Sequence, residues 1–99
     1  MLHTVNKSPF DHKALEACLK FARRGSAVLL IEDGVYAAAS GTAVSKRVEE
    51  ALKSVAIYAL RPDIEARGMQ NRVMDGVRLV DYGGFVDLVA EHNAVQSWL

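Results

Sequence analysis

Only one side chain here is a strong nucleophile by type: Cys18, the single cysteine. A thiol attacks as its thiolate, so its use depends on a helix N-terminus, a cation or a metal that lowers its pKa. The stretch Ser8-Pro9-Phe10-Asp11 reads as a helix start, with a serine cap, proline at the first helical position and a carboxylate in the first turn. A helix is therefore predicted over 11–24, which puts Cys18 about ten residues past the cap, beyond the reach of the helix dipole. Its neighbours three and four positions away are Ala14, Leu15, Phe21 and Ala22, an apolar setting that raises a thiol pKa. At about 100° per residue, His12, Lys13, Glu16, Lys20, Arg23 and Arg24 gather on one side of the helix, with Cys18, Leu15 and Ala22 opposite. This geometry reads Cys18 as a core residue. A reactive role requires subunit packing that brings a cation or a second thiol to it.

Other chemistries are poorly supplied. His3, His12 and His92 have no ligand-like spacing, and one cysteine excludes a Cys-based zinc site and an internal disulfide framework, so no metal is expected. His3 falls on the first expected strand and reads as a hydrogen-bonded structural residue. No Gly-x-Ser-x-Gly elbow is present, and nominating Ser8, His3 and Asp33 as a triad has no support. Gly41-Thr42-Ala43-Val44-Ser45-Lys46 lacks the second glycine of a phosphate loop, and Gly83-Gly84 is not a dinucleotide fingerprint. No organic cofactor is expected. Ligands of open parallel sheets bind beyond the carboxyl ends of the strands. Asp33, Arg61 and Asp81 follow three expected strands and would line that edge, with Asp33 as a helix cap and Gly34 as a turn in the plainer reading. Lys46, Arg47, Arg61, Arg67, Arg72 and Arg78 are offset by Glu49, Glu50, Asp63, Glu65 and Asp75, a mixed solvated surface.

The elements that must position these residues alternate in kind. Strands are predicted at 2–5, 27–31, 55–59 and 77–80, and helices at 11–24, 43–54, 62–67 and 82–91, with one helical turn over 34–39. Ala27-Val28-Leu29-Leu30-Ile31 is continuously apolar, as in a strand buried on both faces. Strands alternating with helices imply a mainly parallel sheet of about four or five strands in a single small three-layer α/β/α sandwich spanning 1–99. The ending Ala94-Val95-Gln96-Ser97-Trp98-Leu99 is apolar and holds the only tryptophan, which needs a groove on its own domain or on a neighbour.

Composition bounds the function. The 99 residues carry 12 basic and 12 acidic side chains for a net charge of 0, which argues against a direct nucleic-acid binder. A chain that is small, uncharged and 51% hydrophobic suits a subunit that buries surface against partners. The start lacks the pattern of a signal peptide and no apolar run approaches a membrane span, so a soluble, reducing, cytoplasmic setting is expected.

Several blocks, in order over nearly the whole chain, resemble the DsrH/TusB family of small sulfur-relay subunits. They are Leu2-His3-Thr4-Val5-Asn6-Lys7-Ser8-Pro9; Leu29-Leu30-Ile31-Glu32-Asp33-Gly34-Val35-Tyr36-Ala37-Ala38; Tyr58-Ala59-Leu60 with Asp63 and Ala66-Arg67-Gly68; Val80-Asp81-Tyr82 with Phe85-Val86; and Val95-Gln96-Ser97-Trp98-Leu99. The resemblance implies a hetero-hexamer with sister DsrE/TusD-like and DsrF/TusC-like subunits, serving a DsrC/TusE-like sulfur carrier. Sulfane sulfur would pass as cysteine persulfide: a thiolate attacks the outer sulfur, a new S–S bond forms, and the donor leaves as its own thiolate. In the TusBCD type the sulfur goes on to thiolate a tRNA wobble uridine, and in the DsrEFH type it serves sulfur oxidation. Cys18, within Ala14-Leu15-Glu16-Ala17-Cys18-Leu19-Lys20-Phe21-Ala22, matches a DsrH-like position. The resemblance thus makes it the candidate persulfide acceptor and leans toward the sulfur-oxidation branch. A scaffold role without chemistry is the alternative.

Overall fold

The structure is a computed structural model describing residues 1–99. Five strands form one sheet: β1 (Leu2–Val5), β2 (Ala27–Leu30), β3 (Ala56–Leu60), β4 (Arg78–Val80) and β5 (Val95–Trp98). Every pairing is parallel and the order is β4-β3-β2-β1-β5. Helices α1 (Ala14–Phe21), α2 (Ser45–Ala51), α3 (Arg61–Ala66) and α4 (Tyr82–Glu91), with a 3-10 helical segment Glu32–Ala38, make the connections. The expected α/β class with a parallel sheet and helices on both faces is what forms.

The strand order explains how the helices are shared out. From β1 to β4 the chain steps steadily in one direction, and parallel crossovers are right-handed, so α1, the 3-10 segment, α2 and α3 fall on one face. Between β4 and β5 the chain reverses and lands on the far side of β1. A crossover of the same hand then places α4 on the other face. The packing follows this division. Val5, Val28, Leu30, Ile57 and Ala59 point to the first face and meet Leu15, Cys18, Val35, Val48 and Ile64. Leu2, Ala27 and Leu29 point to the second face, where Leu88 and Phe85 of α4 cover them. All four residues of β1 and of β2 are buried, as the apolar run of β2 predicts. The second face is covered less completely: Tyr82, Val86 and Val89 of α4 and Val95 of β5 remain exposed.

Three local expectations are corrected. The first helix does not run over 11–24 from a Ser8 cap. The Ser8 carbonyl accepts from the N–H groups of Asp11 (3.3 Å) and His12 (3.1 Å), and its hydroxyl accepts from Phe10 N–H (3.3 Å), so the segment closes into a turn. Helix α1 begins only at Ala14, after Lys13, with no side-chain cap. The apolar C-terminus does not merely fill a groove: it is a strand, paired to β1 from Leu2↔Val95 to Val5↔Trp98. Asp33 does not cap the segment that follows β2, whose N-cap is Ile31 without a side-chain cap bond. Gly34 does close the expected turn, donating its N–H to the Ile31 carbonyl at 2.8 Å, but a second requirement fixes the residue as glycine. A Cβ built on it would overlap the carbonyl oxygen of Val5, so the glycine allows the 3-10 segment to press on β1. The left-handed residue at this junction is Glu32, at φ 50°. Gly68, just past α3, does take a positive φ of 64°, as its position predicts.

Candidate functional site

Cys18 lies in the middle of α1, on the face turned toward the sheet, with no exposed surface. Its surroundings belong to the first-face core, where Leu15, Val28, Leu30 and Ile57 are also buried. No cation or polar group of the protein bonds to it, and burial pushes the thiol up to about 12. The thiol is free, since the chain has no second cysteine. The late start of α1 brings Cys18 nearer the helix N-terminus than the sequence suggests, but desolvation still sets its acidity.

The carboxyl edge of the sheet gathers charges, as expected, but in a fixed network. Arg67 donates from Nη2 (2.9 Å) and Nε (3.1 Å) to Asp33 Oδ1, and from Nη1 to the Asp63 carbonyl oxygen (3.2 Å). The Asp63 carboxylate lies 4.0 Å from Arg67 Nη1 and accepts the Glu32 N–H at 2.6 Å. The Arg67 guanidinium also lies over the Tyr36 ring at 5.9 Å. Its pKa is raised by the Asp33 hydrogen bond first, with burial opposing and the charges of Asp33 and Asp63 assisting. Three charged side chains, Arg67, Asp33 and Asp63, thus clamp the left-handed Glu32 junction to α3. Asp81 caps α4 by accepting from Gly84 N–H at 2.8 Å. Arg61, the first residue of α3, makes no ion pair and is exposed. Asp33, Arg61 and Asp81 therefore do not converge as a catalytic set. No group of three or more His, Cys, Asp or Glu side chains is placed to hold a metal ion.

A second polar contact, between the two terminal strands, was not legible as a pair. Trp98 Nε1 donates to His3 Nδ1 at 3.1 Å, and the two rings sit 6.1 Å apart. Phe21 at the end of α1 packs against Trp98 at 5.6 Å between ring centroids. Trp98 thus finds its partners on its own domain. The only signal in the sequence was the tryptophan in an apolar terminus; pairing it with His3 requires the strand order.

These features define a class: a small, wholly parallel five-stranded α/β domain with its one cysteine sealed in the core. Comparison with known proteins gives the family. The model of the DsrH like protein family matches residues 7–95. The chain is 41% identical to Protein TusB of Pectobacterium parmentieri over 98 residues, covering 99% of this chain and 100% of that protein. It is 36% identical to Protein TusB of Escherichia coli (strain K12 / DH10B) over 102 residues, with the same coverage. The chain belongs to the DsrH/TusB family. Among solved structures, its fold is shared by the ychN protein from E. coli (TM-score 0.82, 17% identity, 97% of each chain). It is shared too by MTH1491 of Methanobacterium thermoautotrophicum (TM-score 0.79, 18% identity, 97% of this chain and 96% of that one).

Proposed function

We propose that this chain is a subunit of a sulfur-relay complex of the TusBCD type, in which its own part is architectural. The relatives that match it from end to end are named TusB, which favours delivery of sulfur toward tRNA wobble-uridine thiolation. Sister TusC-like and TusD-like subunits, and a TusE-like carrier, would hold the reactive thiols. The observation that carries the architectural role is the placement of Cys18. A thiol without exposed surface and with a pKa of about 12 has roughly one molecule in 100,000 as thiolate near neutral pH, and thiolate is the attacking species. The exposed apolar residues Tyr82, Val86 and Val89, at i, i+4 and i+7 on α4, support a chain that buries surface against partners. No helix is long and apolar enough to cross a membrane.

Mass spectrometry of the assembled complex, after exposure to a persulfide donor, tests this. A sister subunit should gain the mass of a sulfur atom and this chain should not. Sulfur on Cys18 would overturn the architectural role and restore the acceptor role. A second reading of the destination rests on the cysteine itself. Cys18 lies in α1, and its resemblance to a DsrH-like position would favour sulfur oxidation with a DsrC-like carrier. Deletion of the chain separates the two: loss of 2-thiouridine in tRNA supports the first, and a defect in sulfur oxidation with intact 2-thiouridine supports the second.

A further inference from the structure

The sulfur-relay reading leaves one built feature of the domain without a task. A cavity of about 340 Å³ opens beside the end of α1, over the starts of β1 and β5, and is lined by Met1, His3, Phe21, Arg23, Ser26, Gln96 and Trp98. It lies away from the carboxyl edge, and Cys18 does not line it. Its volume is at the lower end of the range for small-molecule sites.

The hydrogen bonding of its walls is informative. Trp98 Nε1 can only donate, so His3 Nδ1 must accept, and the neutral imidazole carries its proton on Nε2. Burial lowers the pKa of His3, with the nearby amino-terminal charge acting in the same direction, so the ring stays neutral and Nε2–H remains a donor. His3 is 3% exposed and Ser26 is 9% exposed. Neither the Nε2–H of His3 nor the hydroxyl of Ser26 has a partner in the protein, and both groups open to solvent through the cavity that their residues line. Two donors without protein partners on a single cavity are free to bond a ligand there. Arg23 adds a positive charge at the rim, Gln96 adds an amide, and no carboxylate lines the space. Phe21 and Trp98 supply aromatic walls in contact with one another.

We propose that this cavity binds a small organic monoanion with a flat apolar body, its charged oxygens on His3 Nε2–H, Ser26 Oγ–H and the Arg23 guanidinium, and its body against Phe21 and Trp98. Donors with the Arg23 and amino-terminal cations and no acceptor charge select an anion; the aromatic walls select an apolar frame over a bare inorganic ion. The cavity is a binding site and carries no reaction.

Trp98 is the only tryptophan, so its fluorescence reports occupancy directly. The purified full chain is titrated with phenylacetate, with its neutral amide and with acetate. Phenylacetate should give a saturable change, and the amide and acetate should each bind about tenfold more weakly or worse, the scale of a charge-assisted hydrogen bond or of lost stacking. Arg23→Gln, on an exposed side chain that leaves the fold intact, should weaken phenylacetate by about tenfold and leave the amide unchanged. Ser26→Ala should weaken phenylacetate as well. No saturable signal, equal binding of the amide, or an unaltered affinity in Arg23→Gln would each overturn the proposal.

Discussion

Alkylation of Cys18 is the sharpest test of how the core treats this thiol. The perturbation is a small thiol reagent, iodoacetamide, added to the folded chain and to the same chain in strong denaturant at about pH 8. An ordinary thiol of pKa near 8.5 is about one quarter thiolate there, whereas one at about 12 is about one part in 10,000 thiolate. Charge state alone therefore predicts a folded rate roughly 2,000-fold below the denatured one. Steric closure adds to this, because the sulfur has no exposed surface and must wait for α1 to lift. The rate should be suppressed by at least about three orders of magnitude. The same shift has a thermodynamic signature. A thiol whose folded pKa is raised gives stability that is complete below the unfolded pKa and is lost as pH rises toward about 12. From about pH 8.5 upward the loss approaches about 1.4 kcal/mol per pH unit. Unfolding free energies from urea titration at about pH 8 and pH 10 should differ by up to about 2 kcal/mol, and Cys18→Ala should lack that share of the slope. Modification of the folded chain within about tenfold of the denatured rate would refute the burial argument, and with it the architectural role.

Three further outcomes follow from other parts of the domain. Gly34→Ala should destabilise by more than about 3 kcal/mol, because the clashing group is the Val5 carbonyl of a central strand and cannot swing away; a melting curve close to the parent's would refute the close approach. Arg67→Met should cost about 1 kcal/mol in urea unfolding, since Asp33 is 60% exposed and screened; a loss that salt leaves unchanged in size would refute an electrostatic clamp. Acid should weaken the contact between the terminal strands. The folded pKa of His3 is lowered, so the unfolded chain takes the proton first, and stability falls as pH drops below about 6.5 toward the folded value. Stability that stays flat between about pH 7 and pH 5, or an identical slope in His3→Gln, would contradict this.

How far the sequence led depended on whether a signal was local. The apolar run 27–30 and the alternation of strand and helix are local patterns, and the parallel sheet follows from them. The opposite poles of α1 were also readable: Leu15 and Cys18 are buried while Glu16 and Lys20 are exposed. Ser8 misled, because a serine followed by proline suits a turn as well as a cap, and the choice rests on where its carbonyl finds donors. β5 was invisible as a strand because three of its four residues are exposed, so it carries no alternation to read. Its existence depends on an unpaired edge of β1, which is a property of strand order. Arg67 with Asp33 and His3 with Trp98 are separated by 34 and 95 positions, and neither pairing is specified by spacing.

The reversal between β4 and β5 also bears on the relay. It leaves four helical segments on the face that holds Cys18 and one helix on the other. The chain's one nucleophile thus lies beneath the fuller layer, while the exposed apolar side chains of α4 lie across the sheet from it. A partner docking on α4 is separated from the thiol by the sheet and cannot set a cation or a second thiol beside it. Only a partner that displaces α1 could do so, and that displacement would have to open the side of the largest core cluster of the domain. Binding energy spent on such an opening would weaken the assembly it was meant to form. A partner surface on α4 is therefore divided from the thiol by topology, and in the proposed relay sulfur would travel through cysteines that sister subunits expose.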